Sequence, residues 1–190
     1  MNLRSTSRFA LVGLAAAECV FAGQRWNQRR VSFTAAARRA MELDRPLVVV
    51  GDPDAGAHTS MMRAYDCGDL CIDLHGCPRC SHYEAADITR GPIPGIADDS
   101  AVVFVSCVLE YVSEVEAARD EILRIAGEPE NAFFVTVQPW TFTAVLYPGA
   151  RWTGSSAESM APVGTATKLG AAALLATLLV GSLWPRGDSR

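Results

Sequence analysis

Arg45 to Asp73 reads RPLVVVGDPDAGAHTSMMRAYDCGDLCID, and the order of its parts decides the fold. Leu47, Val48, Val49 and Val50 form an unbroken apolar run that ends on Gly51, and about twenty residues later Leu70, Cys71 and Ile72 form a second short run that ends on Asp73. Strand, tight glycine turn, helix, strand and acid are the ordered parts of a nucleotide-type site in an open α/β sheet. There the glycine lets the backbone approach a ligand closely, and the acid accepts hydrogen bonds from ribose hydroxyls. The loop Asp52 to Gly56 is turn chemistry throughout, and Ala57 to Tyr65 fits a short helix with Met61 and Met62 on its buried face. Gly51 and Gly56 frame four residues as a phosphate-binding loop does. Ala57-His58-Thr59 stands where that loop requires Gly-Lys-Ser/Thr, which sets aside a nucleoside triphosphatase.

Upstream, Ser32 or Thr34 can cap a helix, Ala35 to Leu43 consists of strong helix formers, and Arg45-Pro46 breaks it where the strand starts. Downstream, Glu84 to Ile88 reads as a short strand or strand end, and Thr89 to Gly95 (TRGPIPG) as a connector. Ala101 to Ser106 (AVVFVS) is apolar on both faces, as a strand inside a parallel sheet must be. Glu114 to Ile125 places Val115, Ala118, Ile122 and Ile125 at helical spacing, and Ala132 to Val137 supplies another strand.

Four cysteines, Cys67, Cys71, Cys77 and Cys80, fall within a short span. So dense a group reads as reduced thiols or metal ligands more readily than as a disulfide framework. CxxxC followed by CxxC, with His75 and His82 beside it, offers thiolate and imidazole ligands to zinc. Against that, Cys71 lies inside the second strand, where packing claims its side chain, and free cysteine is among the most buried residue types. No metal is therefore assigned. A reversible Cys77–Cys80 disulfide is a further, weaker alternative.

Ala101 to Val112 (AVVFVSCVLEYV) resembles the fourth strand and following segment of class I S-adenosylmethionine-dependent methyltransferases: an apolar strand, a small polar residue, then Leu-Glu-His/Tyr-Val. The likeness runs from about Leu47 to Val137. It implies a Rossmann-like three-layer α/β/α fold with a mostly parallel sheet, and S-adenosylmethionine as cofactor. In that register Gly51, with Asp52 and Gly56, corresponds to the cofactor loop, and Asp73, followed by Leu74, to the acid that binds ribose. Asp87 and Ile88 correspond to the pair at the adenine ring, and Ser106, Cys107 and Val108 to the strand end beneath the methionine part. Glu110 and Tyr111 stand where the family often places residues near the methyl group, with no catalytic residue assigned. The chain departs from the pattern at Val49, where the family has an acid, and in its two spaced glycines. After the fifth strand it has no helix and antiparallel hairpin of the family kind.

The ends differ in composition. Phe9 to Gly23 is apolar apart from Glu18, which fits a secretory signal peptide, a membrane anchor or a helix packed on the domain. Arg25, Arg29, Arg30, Arg38 and Arg39 follow it, and positive charge of that density stays on the cytoplasmic side, which favours an anchor with a cytoplasmic domain. Leu169 to Trp184 carries no charge and is bounded by Lys168 and Arg186, as a transmembrane segment is. Between them Gln138 to Trp152 is rich in aromatics. Gln138, Trp140 and Tyr147 suit a substrate pocket, and the Trp and Tyr residues also suit a membrane interface, but Trp140, Phe142 and Trp152 as a cover over a bare sheet edge is the preferred reading.

The expected organisation is an N-terminal anchor over 1–30, a methyltransferase-like domain over 31–152, a linker over 153–167 and terminal hydrophobic helix over 168–190. A net charge of −4 gives no electrostatic reason for a nucleic-acid partner. The expected partners are the lipid bilayer and an unidentified methyl acceptor at its surface. The competing expectation is a non-catalytic membrane-anchored scaffold of the same fold, with zinc on its cysteine cluster as an option.

Overall fold

The structure is a computed structural model that describes residues 3–55, 63–136, 145–146, 151–153, 160–162 and 164–183. Helix α1 (Leu3–Leu43) leads into strands β1 (Leu47–Val50), β2 (Leu70–Asp73), β3 (Tyr83–Ala85) and β4 (Val102–Ser106). Helix α2 (Val115–Ala126), a short 3-10 turn (Pro129–Asn131) and β5 (Ala132–Val135) follow, then β6 (Arg151–Thr153), β7 (Met160–Pro162) and helix α3 (Thr165–Leu183). The chain divides into two compact units, Gln24–Val137 and Met1–Gly23 together with Gln138–Arg190.

In Gln24–Val137 the five strands form one sheet in the order β3-β2-β1-β4-β5, every pair parallel. β1 sits at the centre, Val49 opposite Cys71 on one side and Phe104 on the other. The chain leaves β1 toward one edge and returns to its far side at β4, so the strand order reverses between these two strands. All four residues of β1 and all five of β4 are buried, as strands enclosed on both faces require. β3, at the sheet edge, is exposed at each position.

The C-terminal part of α1 packs in one cluster with the sheet. Ala36 and Ala40 lie with Leu47, Val49, Cys71, Val102, Phe104 and Val135, flanked by Phe33. Alternation along the strands puts the equally buried Val48, Val50, Ile72, Val103 and Val105 on the other face. Phe33, Tyr65 and Phe104 meet edge to face or tilted, with centroids 5.0 to 6.0 Å apart. α2 lies against β4 and β5 and buries Ala118, Glu121, Ile122, Ile125 and Ala126, one face of the helix. Gly127, at φ 72°, ends α2 by donating its N–H to the Leu123 carbonyl at 2.8 Å.

Three expectations are revised here. The apolar N-terminal run and the helix from Ser32 form one helix, since nothing between Gly23 and Ser32 breaks it: that segment holds glutamine, arginine and other tolerant residues without proline. The stretch 153–167, expected as linker, contains β7, which pairs antiparallel with β6 as a two-stranded sheet of its own. The helix expected over Ala57–Tyr65 falls mostly outside the described residues, and Arg63 to Tyr65 are not helical.

In the other unit, the N-terminal part of α1 and α3 are both long and apolar enough to cross a membrane. Their apolar side chains face outward, Phe9, Val12, Leu169 and Leu183 each more than 60% exposed, while Ser7 and Ser182 are buried. A Cβ on Gly181 would stand 2.5 Å from the Ser7 hydroxyl oxygen, so a larger residue there would have to turn the serine side chain aside.

Candidate functional site at the carboxyl edge of the sheet

Open parallel sheets bind ligands in the crevice beyond the carboxyl ends of their strands, where the strand order reverses. Here that place lies between the ends of β1 and β4. Gly51 closes β1 at φ 102° and donates its N–H to the Ile72 carbonyl at 2.8 Å. A Cβ on Gly51 would lie 2.9 Å from Val108 Cγ2 and 3.0 Å from the Ser106 carbonyl oxygen. The glycine is thus required by the close approach of the chain's own β4 exit as well as by its positive φ.

The two neighbouring strand ends are tied through Asp73. Its Oδ2 accepts the Asp52 N–H at 3.1 Å and its Oδ1 accepts the His75 N–H at 3.0 Å. Asp52 Oδ1 in turn accepts the Asp54 N–H at 2.9 Å, an Asx turn that shapes the loop. Pro53 is fully buried beneath it. Tyr65 leans over the same turn, its hydroxyl donating to the Gly51 carbonyl at 3.4 Å. Burial pushes the Tyr65 phenol up to about 12, so it stays protonated as a donor.

Past β3, Asp87 Oδ1 accepts both the Thr89 hydroxyl (2.7 Å) and the Thr89 N–H (3.0 Å), while Arg90 Nε approaches Oδ2 at 3.1 Å. The Thr89 hydroxyl, then the Thr89 amide and Arg90, hold the Asp87 carboxyl below its usual range. Ile88 is buried and Leu74 is 60% exposed.

At the end of β4, Ser106 is buried and Cys107 takes φ 56°, a conformation uncommon outside glycine. Cys107 donates its N–H to the Val135 carbonyl at 2.8 Å, and its Sγ accepts a hydrogen bond from Arg29 at 3.1 Å. Burial, and then the Glu110 carboxylate, push the Cys107 thiol up, against the opposing pull of Arg29, so the thiol is protonated at neutral pH. Glu110 is 3% exposed, Tyr111 51%.

Of the residues expected to contact cofactor, Gly51, Asp52, Asp73, Leu74, Ser106 and Cys107 lie at the carboxyl ends of β1, β2 and β4, with Asp87 and Ile88 just beyond β3. Gly56 lies outside the described residues, as do Gln138, Trp140 and Tyr147. Sequence reasoning missed Arg29 and Tyr65, whereas Val108 was expected with Ser106 and Cys107 at the strand end and is found packed over Gly51. Arg29 read as part of a basic membrane flank and Tyr65 as the end of a helix; neither carries a local signal for an edge that only the folded sheet assembles.

The cysteines are also corrected. Cys67 is joined to Cys80 and Cys71 to Cys77. Neither is the Cys77–Cys80 pair, and the expectation of reduced thiols does not hold in this structure. The reason is topological: parallel pairing of β2 with β3 turns the loop between them back on β2 and brings Cys77 and Cys80 against Cys71 and the Cys67 turn. No family model, curated protein or solved structure matches this chain.

Proposed function

We propose that Gln24–Val137 is a Rossmann-like, three-layer domain of the methyltransferase type that binds S-adenosylmethionine at its carboxyl edge, held at a membrane by α1 and α3 on the cytoplasmic side. The observation that carries this reading is the strand order β3-β2-β1-β4-β5, which gathers Gly51, Asp73 and Ser106 from three adjacent strand ends at the reversal point. S-adenosylmethionine supplies an electrophilic methyl group on a sulfonium. Bound there, it would offer that methyl group to a nucleophile brought into line with the carbon–sulfur bond. The chain's own part is alignment: Asp73 receives ribose hydroxyls, Asp87 and Ile88 flank the base, and Ser106 and Cys107 support the methionine end. The methyl acceptor is a molecule reached at the bilayer surface.

Two observations favour a second reading, a scaffold of this fold without chemistry. Both Asp73 oxygens already accept backbone N–H groups, and Val108 fills the space above Gly51. Titration calorimetry of the full chain in detergent separates the two. The enzyme reading expects S-adenosylmethionine and S-adenosylhomocysteine to bind with Kd between about 1 µM and 1 mM, with loss in Asp73→Ala and partial retention in Asp73→Asn, which keeps one acceptor oxygen. Absence of heat from either ligand at millimolar concentration overturns it.

A further inference from the structure

Four sulfurs are gathered on the β2 side of this crevice. Cys71, Cys77 and Cys80 are buried and their sulfurs lie within 4.8 Å of one another, with Cys67 bonded to Cys80. Cys71 Sγ lies 4.0 Å from the Gly51 carbonyl oxygen, so the group sits directly behind the glycine turn. We propose that in the reduced protein these four cysteines form a structural zinc site.

Spacing, geometry and charge each support it. Cys67-x3-Cys71 and Cys77-x2-Cys80 both fall within the C-x2–4-C range of structural zinc sites. Zinc–sulfur bonds of about 2.3 Å in a tetrahedron put the sulfurs about 3.8 Å apart, and the sulfurs of Cys71, Cys77 and Cys80 already lie within 4.8 Å of one another. The turns that present the thiols are fixed by glycines. Gly68, next to Cys67, has φ 64° and would place a Cβ 2.5 Å from the Leu47 carbonyl oxygen; Gly76, next to Cys77, has φ 73° and would meet the Tyr83 ring at 2.8 Å. The Cys80 N–H closes the second turn on the Cys77 carbonyl at 2.9 Å.

Zinc held by four thiolates is doubly negative, and a buried site of that charge needs donors around it. Arg63 already donates to Cys67 Sγ at 3.0 Å, and Arg79 lies within the Cys77–Cys80 turn. Reduction of the two disulfides by a thiol or phosphine reductant takes four electrons and four protons and yields four thiols, whose protons one zinc ion then displaces. On the reducing side of a membrane the disulfides do not persist, and zinc is what holds the β2 end and its two turns together there. The site depends on that reduction and not on methyl transfer.

The test is metal analysis of the full chain, purified in detergent under a non-chelating phosphine reductant with added zinc and then freed of unbound metal. About one zinc per chain is expected, with zinc release on thiol alkylation and loss of metal in Cys71→Ser and Cys80→Ser. Cobalt titration of the wild-type chain guards against variants that fail to fold, because tetrahedral thiolate cobalt has its own intense visible bands. Four free thiols with neither zinc retained nor those bands, or disulfides that the reductant does not open, overturns the site.

Discussion

Gly51 shows how one residue decides between two uses of a crevice. Its φ of 102° is strained for any side chain, and an added Cβ meets both the Val108 side chain and the backbone carbonyl of Ser106. Gly51→Ala is therefore expected to cost about 2 kcal/mol or more, read as a lower melting temperature of the detergent-solubilised chain. Adding Val108→Ala is expected to restore only a minor part, because Ser106 is backbone and the φ strain remains. Full restoration would mean that Val108 alone sets the requirement. That Gly51 matters was legible from the run of valines before it. That its near neighbour is the chain's own β4 exit was not, because Val108 is fifty-seven residues away in sequence and only the β1–β4 pairing brings it there.

β1, β2, β4 and β5 were legible because each is a short apolar run, and their boundaries fall within two residues of the runs that mark them; β3, exposed along its length and ending three residues early, and β6 and β7 carry no such run. The elements that the sequence left obscure are those whose partners are distant. Glu121 is an example: on a helical wheel it reads as a charge on α2, yet it is 5% exposed. Its Oε1 accepts the Ile93 N–H at 2.8 Å and it pairs with Arg124 at 2.7 Å through both oxygens, while Arg124 also reaches Asp98. α2 is thereby fastened to the Pro/Gly connector, whose own residues predict no fixed shape. Burial alone would raise the Glu121 carboxyl, but Arg124 and the Ile93 amide outweigh it and hold it below its ordinary value. A depressed folded-state pKa contributes stability that is complete above the ordinary glutamate value of 4.5 and is lost as pH falls through the lower folded value. Glu121→Gln is expected to cost about 1–2 kcal/mol at neutral pH, since it removes the charge-assisted pair with Arg124 while Arg124 keeps Asp98 and the amide oxygen still accepts the Ile93 N–H. The gap between wild type and variant in urea unfolding is expected to close below that value; a gap independent of pH would show that the carboxylate charge plays no part.

At the scale of the whole chain, membrane attachment rests on how the terminal helices distribute their side chains. A helix pair in water buries its leucines and exposes its serines. Here Leu169, Leu174, Leu179, Val180 and Leu183 of α3 and Phe9, Val12 and Val20 of α1 face outward, while Ser7 and Ser182 are buried. Small residues where helices meet and apolar residues elsewhere are what lipid as solvent selects. Sidedness is less directly written. Of the five arginines after the apolar run, Arg29 binds Cys107, Arg30 stacks on Trp26 with 5.3 Å to the ring centroid, and Arg39 donates to Asn131 at 3.0 Å, so each has a use inside its fold besides its charge. The density of charge still opposes translocation of that flank. The chain is accordingly expected to remain with membranes through alkaline carbonate washing, and its folded domain to resist added trypsin in intact spheroplasts and to be cut after lysis. Release by carbonate would return α1 and α3 to the status of soluble helices. Cleavage in intact spheroplasts would put the domain on the oxidising face, where Cys67–Cys80 and Cys71–Cys77 persist as disulfides and the reduced cluster has no occasion to take up zinc.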